Sequence, residues 1–118
     1  MRTLCEAATE GNERAALAID VFCYLLAKTI GALAVLLGRI DALVFTGGIG
    51  ENSALIRHKT LARLSVFGFA CDQGLNSEHG KNSGGLISST NSTKAAVIVT
   101  QEEWVIARDT LRLIGGDV

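Results

Sequence analysis

With 118 residues, 48% of them hydrophobic and 19% charged, the chain has apolar material for one core and too little charge for disorder. A formal net charge of −1, with Lys and Arg scattered, favours neither nucleic acid nor an anionic membrane. Cys5, Cys23 and Cys71 are far apart and lack a C-x-x-C spacing, which argues against a disulfide framework or zinc site and for a reduced, cytoplasmic setting.

Thr3 and Glu6 have the spacing of a capping box, which predicts a short helix opening there. The stretch from Arg2 to Arg14 is too polar for a signal peptide. Gly11 and Asn12 break the chain, and Asn12 is placed to cap a long helix running to about Leu37, with Gly38 as its stop. Ala16, Ile19, Cys23, Ala27, Ile30 and Ala34 recur at helical spacing. Apolar residues on most other faces predict a helix largely covered by other structure, with Cys23 packed as a small hydrophobe. Asp20 and Lys28 interrupt the run before it reaches the roughly 18 apolar residues of a membrane span. These two fall on about the same face and are expected to pair or to snorkel.

Ala42 to Phe45 reads as a short strand buried on both faces. Gly47, Gly48 and Gly50 follow as a turn. Ser53 to Leu64 then reads as a helix with Leu55, Ile56, Leu61 and Leu64 on one side and His58 facing solvent. Val66 to Ala70 reads as a second strand, and residues 72–85, including His79, as a polar surface loop. Leu86-Ile87 is an edge-strand candidate and Ala95 to Val99 a buried one. Thr100 and Glu103 form a second capping box for a helix from about Gln101 to Ile114, with Trp104 packed and Gly115-Gly116 at the end. The order of elements is α/β, with the strands sharing one sheet.

The sharpest chemical feature is Phe45-Thr46-Gly47-Gly48-Ile49-Gly50-Glu51-Asn52. A buried strand ends, glycines turn the chain and a helix begins. Ligands of open α/β sheets bind beyond the carboxyl ends of strands. Glycine leaves no Cβ to block a ligand against the backbone, and free helix N–H groups add a positive end. A tight turn without a ligand would use the same residues. The spacing is neither G-x-G-x-x-G nor a P-loop, so a Rossmann or Walker site is disfavoured. Neither histidine has a cysteine or carboxylate at metal-ligand spacing.

The run Val44-Phe45-Thr46-Gly47-Gly48-Ile49-Gly50-Glu51-Asn52-Ser53 closely resembles the adenosine motif of the acetate and propionate kinases. Met1-Arg2 resembles the end of that family's Asp-x-Arg segment, without the aspartate in front. Thr100-Gln101-Glu102-Glu103 resembles its Thr-Asn-Glu-Glu segment, with Val99 where the family usually has proline and Gln101 where it has asparagine. The resemblance covers essentially the whole chain.

It implies an actin-like, sugar kinase-like ATPase fold of two ribonuclease H-like domains, in which residues 1–118 would be a single domain, most of the second, the C-terminal nucleotide-binding part. Gly47, Gly48, Ile49, Gly50 and Glu51 would line the adenosine of ATP or ADP, and Arg2 would lie near the adenine or ribose. Glu102 would help hold Mg²⁺, directly or through water, leaving Glu103 to turn back on its own cap. The implied reaction is transfer of the γ-phosphoryl group of ATP to acetate or propionate. The catalytic aspartate, the charge-stabilising arginines and the carboxylate pocket would belong to an N-terminal domain that no segment here matches. The chain alone is therefore expected to be inactive, and family resemblance also makes a homodimer an expectation. A related butyrate kinase and a non-catalytic nucleotide-binding or scaffold fragment are the alternatives.

Overall fold

The computed structural model describes residues 1–100 and 102–115, with only the backbone of Glu102 and Glu103. Helix α1 spans Arg2–Thr9 and opens two residues earlier than a cap at Thr3 would place it. Met1 stands at its N-cap without a side-chain cap bond. Thr3 therefore lies inside the first turn, and Glu6 accepts a hydrogen bond from Arg2 Nε at 3.3 Å instead of closing a capping box.

Helix α2 spans Glu13–Leu37. Asn12 Oδ1 accepts from the Ala15 N–H at 3.0 Å, and Gly38 ends the helix at φ 84°, both as the sequence predicts. Its buried stripe is Ala15, Ile19, Cys23, Ala27 and Ala34. The other faces are not covered: Leu17, Val21, Tyr24, Leu25, Leu33, Val35, Leu36 and Leu37 are exposed. By length and composition α2 is also apolar enough to cross a membrane. Its stripe packs against α1 and against helix α4 (Ala54–Ala62). Asp20 pairs not with Lys28 but with Lys59 of α4, at 2.7 Å. That cation holds the Asp20 carboxyl below its ordinary value.

Strand β1 (Ala42–Phe45) lies parallel to β2 (Lys94–Val97), in the register Ala42↔Lys94 to Phe45↔Val97. Only Phe45 of β1 is buried, so the strand is covered less than its run of apolar residues predicts. The core around this pair comprises Ala27, Phe45, Leu61, Leu64, Phe69, Ile87, Ala95 and Val97.

The expected strand Val66–Ala70 does not form. Ser65–Phe67 is a 3-10 turn, and Gly68 follows at φ 85°, outside the extended region. A Cβ on Gly68 would lie 2.8 Å from Thr93 Oγ1, which donates at 2.7 Å to the Phe67 carbonyl. Phe69 alone bridges to Thr93. Leu86 contributes one antiparallel bridge, to Ala96. Residues 72–85 are not all loop: helix α5 (Gln73–Ser77) is capped by Asp72, whose Oδ1 accepts from the Leu75 N–H at 3.0 Å, and Asn76 is buried.

Helix α6 spans Glu102–Leu113. Trp104, expected to pack, is 58% exposed, with the Arg108 guanidinium 5.1 Å from its ring centroid.

Candidate nucleotide site

Phe45 is anchored in the core, and Thr46 leaves it in an extended conformation. Gly47 then takes φ 76°, a region that only glycine enters without penalty. The glycine run is not a loop ahead of a helix. It is itself a short helix, α3 (Gly47–Asn52), joined to α4 through Ser53, whose Oγ accepts from the Ile56 N–H at 3.3 Å.

The glycines of α3 serve different ends. A Cβ on Gly48 would meet nothing within 4 Å, so this position faces open space. A Cβ on Gly50 would meet the Phe45 carbonyl carbon at 3.2 Å and its Cβ at 3.4 Å. Gly50 thus lets α3 pack closely on the end of β1.

Gly48 and Ile49 form one wall of a cleft of about 640 Å³, together with Asn52 and Ser53. Met1, Arg2, Cys5 and Glu6 of the α1 segment form the other. The size lies in the range of small-molecule and cofactor sites, about 300–1,000 Å³. Three of the sequence-marked residues, Arg2, Gly48 and Ile49, therefore meet across one cleft. Gly47, Gly50 and Glu51 belong to the same helix but not to the cleft wall.

Asn52 is a wall residue that the sequence reading did not single out. Its Nδ2 donates to the Gly48 carbonyl at 3.0 Å, which places its amide across the glycine face. Glu51 turns the other way and accepts a hydrogen bond from Thr100 Oγ1 at 3.4 Å. This contact ties α3 to the residues just ahead of α6, so the two motifs lie side by side. The side chain of Glu102, and the choice between it and Glu103, lies outside the described residues. Among the described residues no three His, Cys, Asp or Glu side chains cluster as a metal site.

Sequence reasoning missed Arg57. It is fully buried on α4, beneath α3. Its Nη1 donates to the Gly50 carbonyl at 2.9 Å. Nε donates to Asn76 Oδ1 at 2.7 Å, and Nη2 to the Asn76 carbonyl at 2.8 Å. Nη2 also lies 2.7 Å from His79 Nδ1. The available signal was position: Arg57 precedes Thr60, Leu61 and Leu64 by three, four and seven residues, on the stripe that α4 buries. His58, expected to face solvent, is half-buried and lies 3.0 Å from Gln73 Nε2 through Nδ1.

His79 is held below its ordinary value, first by burial and then by Arg57 and Lys81. Its folded form prefers the neutral ring, so its contribution to stability is complete above the unfolded imidazole value of about 6.5 and is lost as pH falls below it. Thermal melts from pH 7.5 to 5 should show a decline that His79→Asn flattens. An equal decline in the variant would exclude His79 as its source.

The family model described as the Acetokinase family matches residues 1–108. Acetate kinase of Shewanella sp. (strain ANA-3) is 50% identical over 113 residues, covering 96% of this chain and 28% of that protein. Acetate kinase of Dichelobacter nodosus (strain VCS1703A) is 52% identical over 114 residues, covering 97% and 29%. The fold superposes on a propionate kinase from Francisella tularensis subsp. tularensis SCHU S4 with a TM-score of 0.80 at 41% identity, over 92% of this chain and 27% of that one. Acetate kinase of Porphyromonas gingivalis gives 0.76 at 35% identity, over 96% and 28%. The chain thus spans 28% of the length of curated relatives that match nearly all of it. An α/β chain that these kinases match from Met1 through its glycine helix to the final helix belongs to the acetokinase family.

Proposed function

We propose that the chain forms the adenosine-binding wall of a carboxylate kinase that transfers the γ-phosphoryl group of ATP to acetate or propionate. The observation that carries this reading is the cleft in which Gly48 and Ile49 of the glycine helix face Arg2. The open space beyond Gly48 is what a flat base or a ribose against the backbone requires. Arg2 can bend over the cleft, since the ion pair it makes among the described residues, to Glu6 on α1, is highly exposed.

In this reading residues 1–118 are a single domain, most of the C-terminal ribonuclease H-like domain of an actin-like ATPase fold working in the cytoplasm. Glu102 opens α6 beside the Thr100–Glu51 contact, so a carboxylate there suits Mg²⁺ on the nucleotide phosphates. Mg²⁺ there would neutralise charge on the transferred phosphoryl group. It takes few protein ligands and keeps several waters, so a single carboxylate is a sufficient donor from this domain. This chain's part is to bind and orient the nucleotide. The groups that move the phosphoryl group, and the carboxylate pocket that separates acetate from propionate or butyrate kinases, belong to the remaining length of the enzyme. The exposed apolar face of α2 suits burial by that remainder or in a homodimer. The chain spans 28% of its relatives' length, and a non-catalytic nucleotide-binding fragment is the second reading.

Calorimetric titration tests the proposal. Adenosine and Mg·ADP should each bind saturably at one site. Glu102→Gln should weaken Mg·ADP while leaving adenosine unchanged, and Glu103→Gln should change neither. Loss of Mg·ADP affinity in Glu103→Gln alone would move the metal contact by one residue.

The chain alone should make no acetyl phosphate from ATP and acetate in a coupled assay at high protein concentration. Turnover within the usual kinase range of about 1–100 s⁻¹ would show that the catalytic groups are here after all.

A further inference from the structure

Arg57 is fully buried, and among the described residues no carboxylate hydrogen-bonds to it. Its charge is held by the Gly50 carbonyl, by both oxygens of Asn76 and by one imidazole nitrogen. Guanidinium only donates, so His79 Nδ1 must accept, with the ring neutral and its proton on Nε2. A second proton on that ring would set donor against donor and cation against cation across 2.7 Å.

The charged groups around this contact offer no relief. From α4 comes Arg57 itself, and from the turn of His79 comes Lys81, both cationic. Asp72, at the start of α5, has its carboxylate on the Leu75 N–H, and Cys71 beside it is a thiol held neutral chiefly by burial. Glu78 accepts from Asn82. The His79 backbone is fixed beside Asn76, at φ 57° with its N–H donating to the Asn76 carbonyl at 3.0 Å, and its ring is half-buried. The ring thus lies on Nη2 of the same planar fork whose Nη1 donates to the Gly50 carbonyl, so a proton on it bears on that fork directly.

We propose that His79 is a proton-sensitive positioning residue for the glycine helix: its protonation displaces Arg57 from the Gly50 carbonyl and loosens α3. The depression of the His79 pKa by burial and by Arg57 agrees with this geometry. The consequence for ligand rests on the nucleotide reading above, since Gly48 and Ile49 of the same short helix line the cleft. A ligand needing ordered α3 then binds more weakly in acid, and its binding expels a proton.

The test uses the full 118-residue chain and two readouts. The first is the Glu51 amide, one bond beyond the Gly50 carbonyl, followed by ¹⁵N NMR without ligand from pH 7.5 to 5. It should titrate with the midpoint of the His79 ring in the wild type and stay flat in His79→Asn, which retains an acceptor oxygen and tolerates positive φ. An amide that ignores the His79 titration, or moves equally in the variant, overturns the proposal whether or not a nucleotide binds. The second is the affinity of adenosine, which carries no phosphate to titrate. It should fall at least about fivefold between pH 7.5 and 5.5 in the wild type and stay constant in His79→Asn, as site coupling of ordinary size requires. A pH-independent wild-type affinity also overturns the proposal. Absence of adenosine binding at pH 7.5 would count against the nucleotide reading alone, and the amide titration would still decide the role of His79.

Discussion

Arg57→Ala should destabilise the chain by about 3 kcal/mol, the net of lost charge-assisted hydrogen bonds and the relieved desolvation of a buried cation. The guanidinium joins three segments: the end of α3, the interior of α4 and the turn after α5. Its removal strands the Gly50 carbonyl and the Asn76 side-chain oxygen in the interior. Against a total stability of about 5–15 kcal/mol, such a loss is large. Arg57→Lys should recover only part of it, because one ammonium on a flexible stem cannot span acceptors arranged for a planar fork. Urea unfolding of both variants measures the effect. A loss below about 1 kcal/mol for Arg57→Ala would mean that desolvation cancels the hydrogen bonds.

The second large effect separates two glycines of one motif. Gly50→Val should cost about 1–3 kcal/mol by overpacking against Phe45, whose carbonyl carbon lies 3.2 Å from the new Cβ. Gly48→Val should leave the unfolding midpoint nearly unchanged, since its Cβ meets nothing within 4 Å. Its branches would project into the cleft instead and lower adenosine affinity at least about tenfold, equivalent to about 1.4 kcal/mol. Melts and calorimetry on both variants give the two readouts. If Gly50→Val melts normally, or Gly48→Val binds normally, the division of labour within α3 is wrong.

Much of this was legible in the sequence, and the reason is local. Asn12 and Gly38 bracket α2 because capping and left-handed glycine are decided by a few neighbouring atoms. The strand before the glycine run and the helix after Ser53 appeared nearly where apolar spacing put them. What failed was decided by distant partners. Val66 to Ala70 has strand composition, yet Gly68 and the hydroxyl of Thr93 bend it into a 3-10 turn. Arg57 looked like one of the two cations flanking His58, and only its position on the buried stripe marked it as interior. Exposed α2 residues such as Leu36, 83% accessible, carry a pattern that suits more structure than these residues supply. Within the glycine motif, spacing alone could not tell Gly48, which faces the cleft, from Gly50, which is pressed on Phe45.

The central claim is that adenosine lies between α1 and α3. Mapping of backbone amide shifts during adenosine titration tests it most directly, because it reports place as well as affinity. The account predicts saturable shifts at Arg2, Cys5, Gly48, Ile49 and Asn52 with one common dissociation constant. Gly48→Val should suppress all of them together. Saturable shifts centred instead on Tyr24, Lys28 and Arg63, which line a separate cavity of about 460 Å³, would contradict it, as would no saturable shift anywhere.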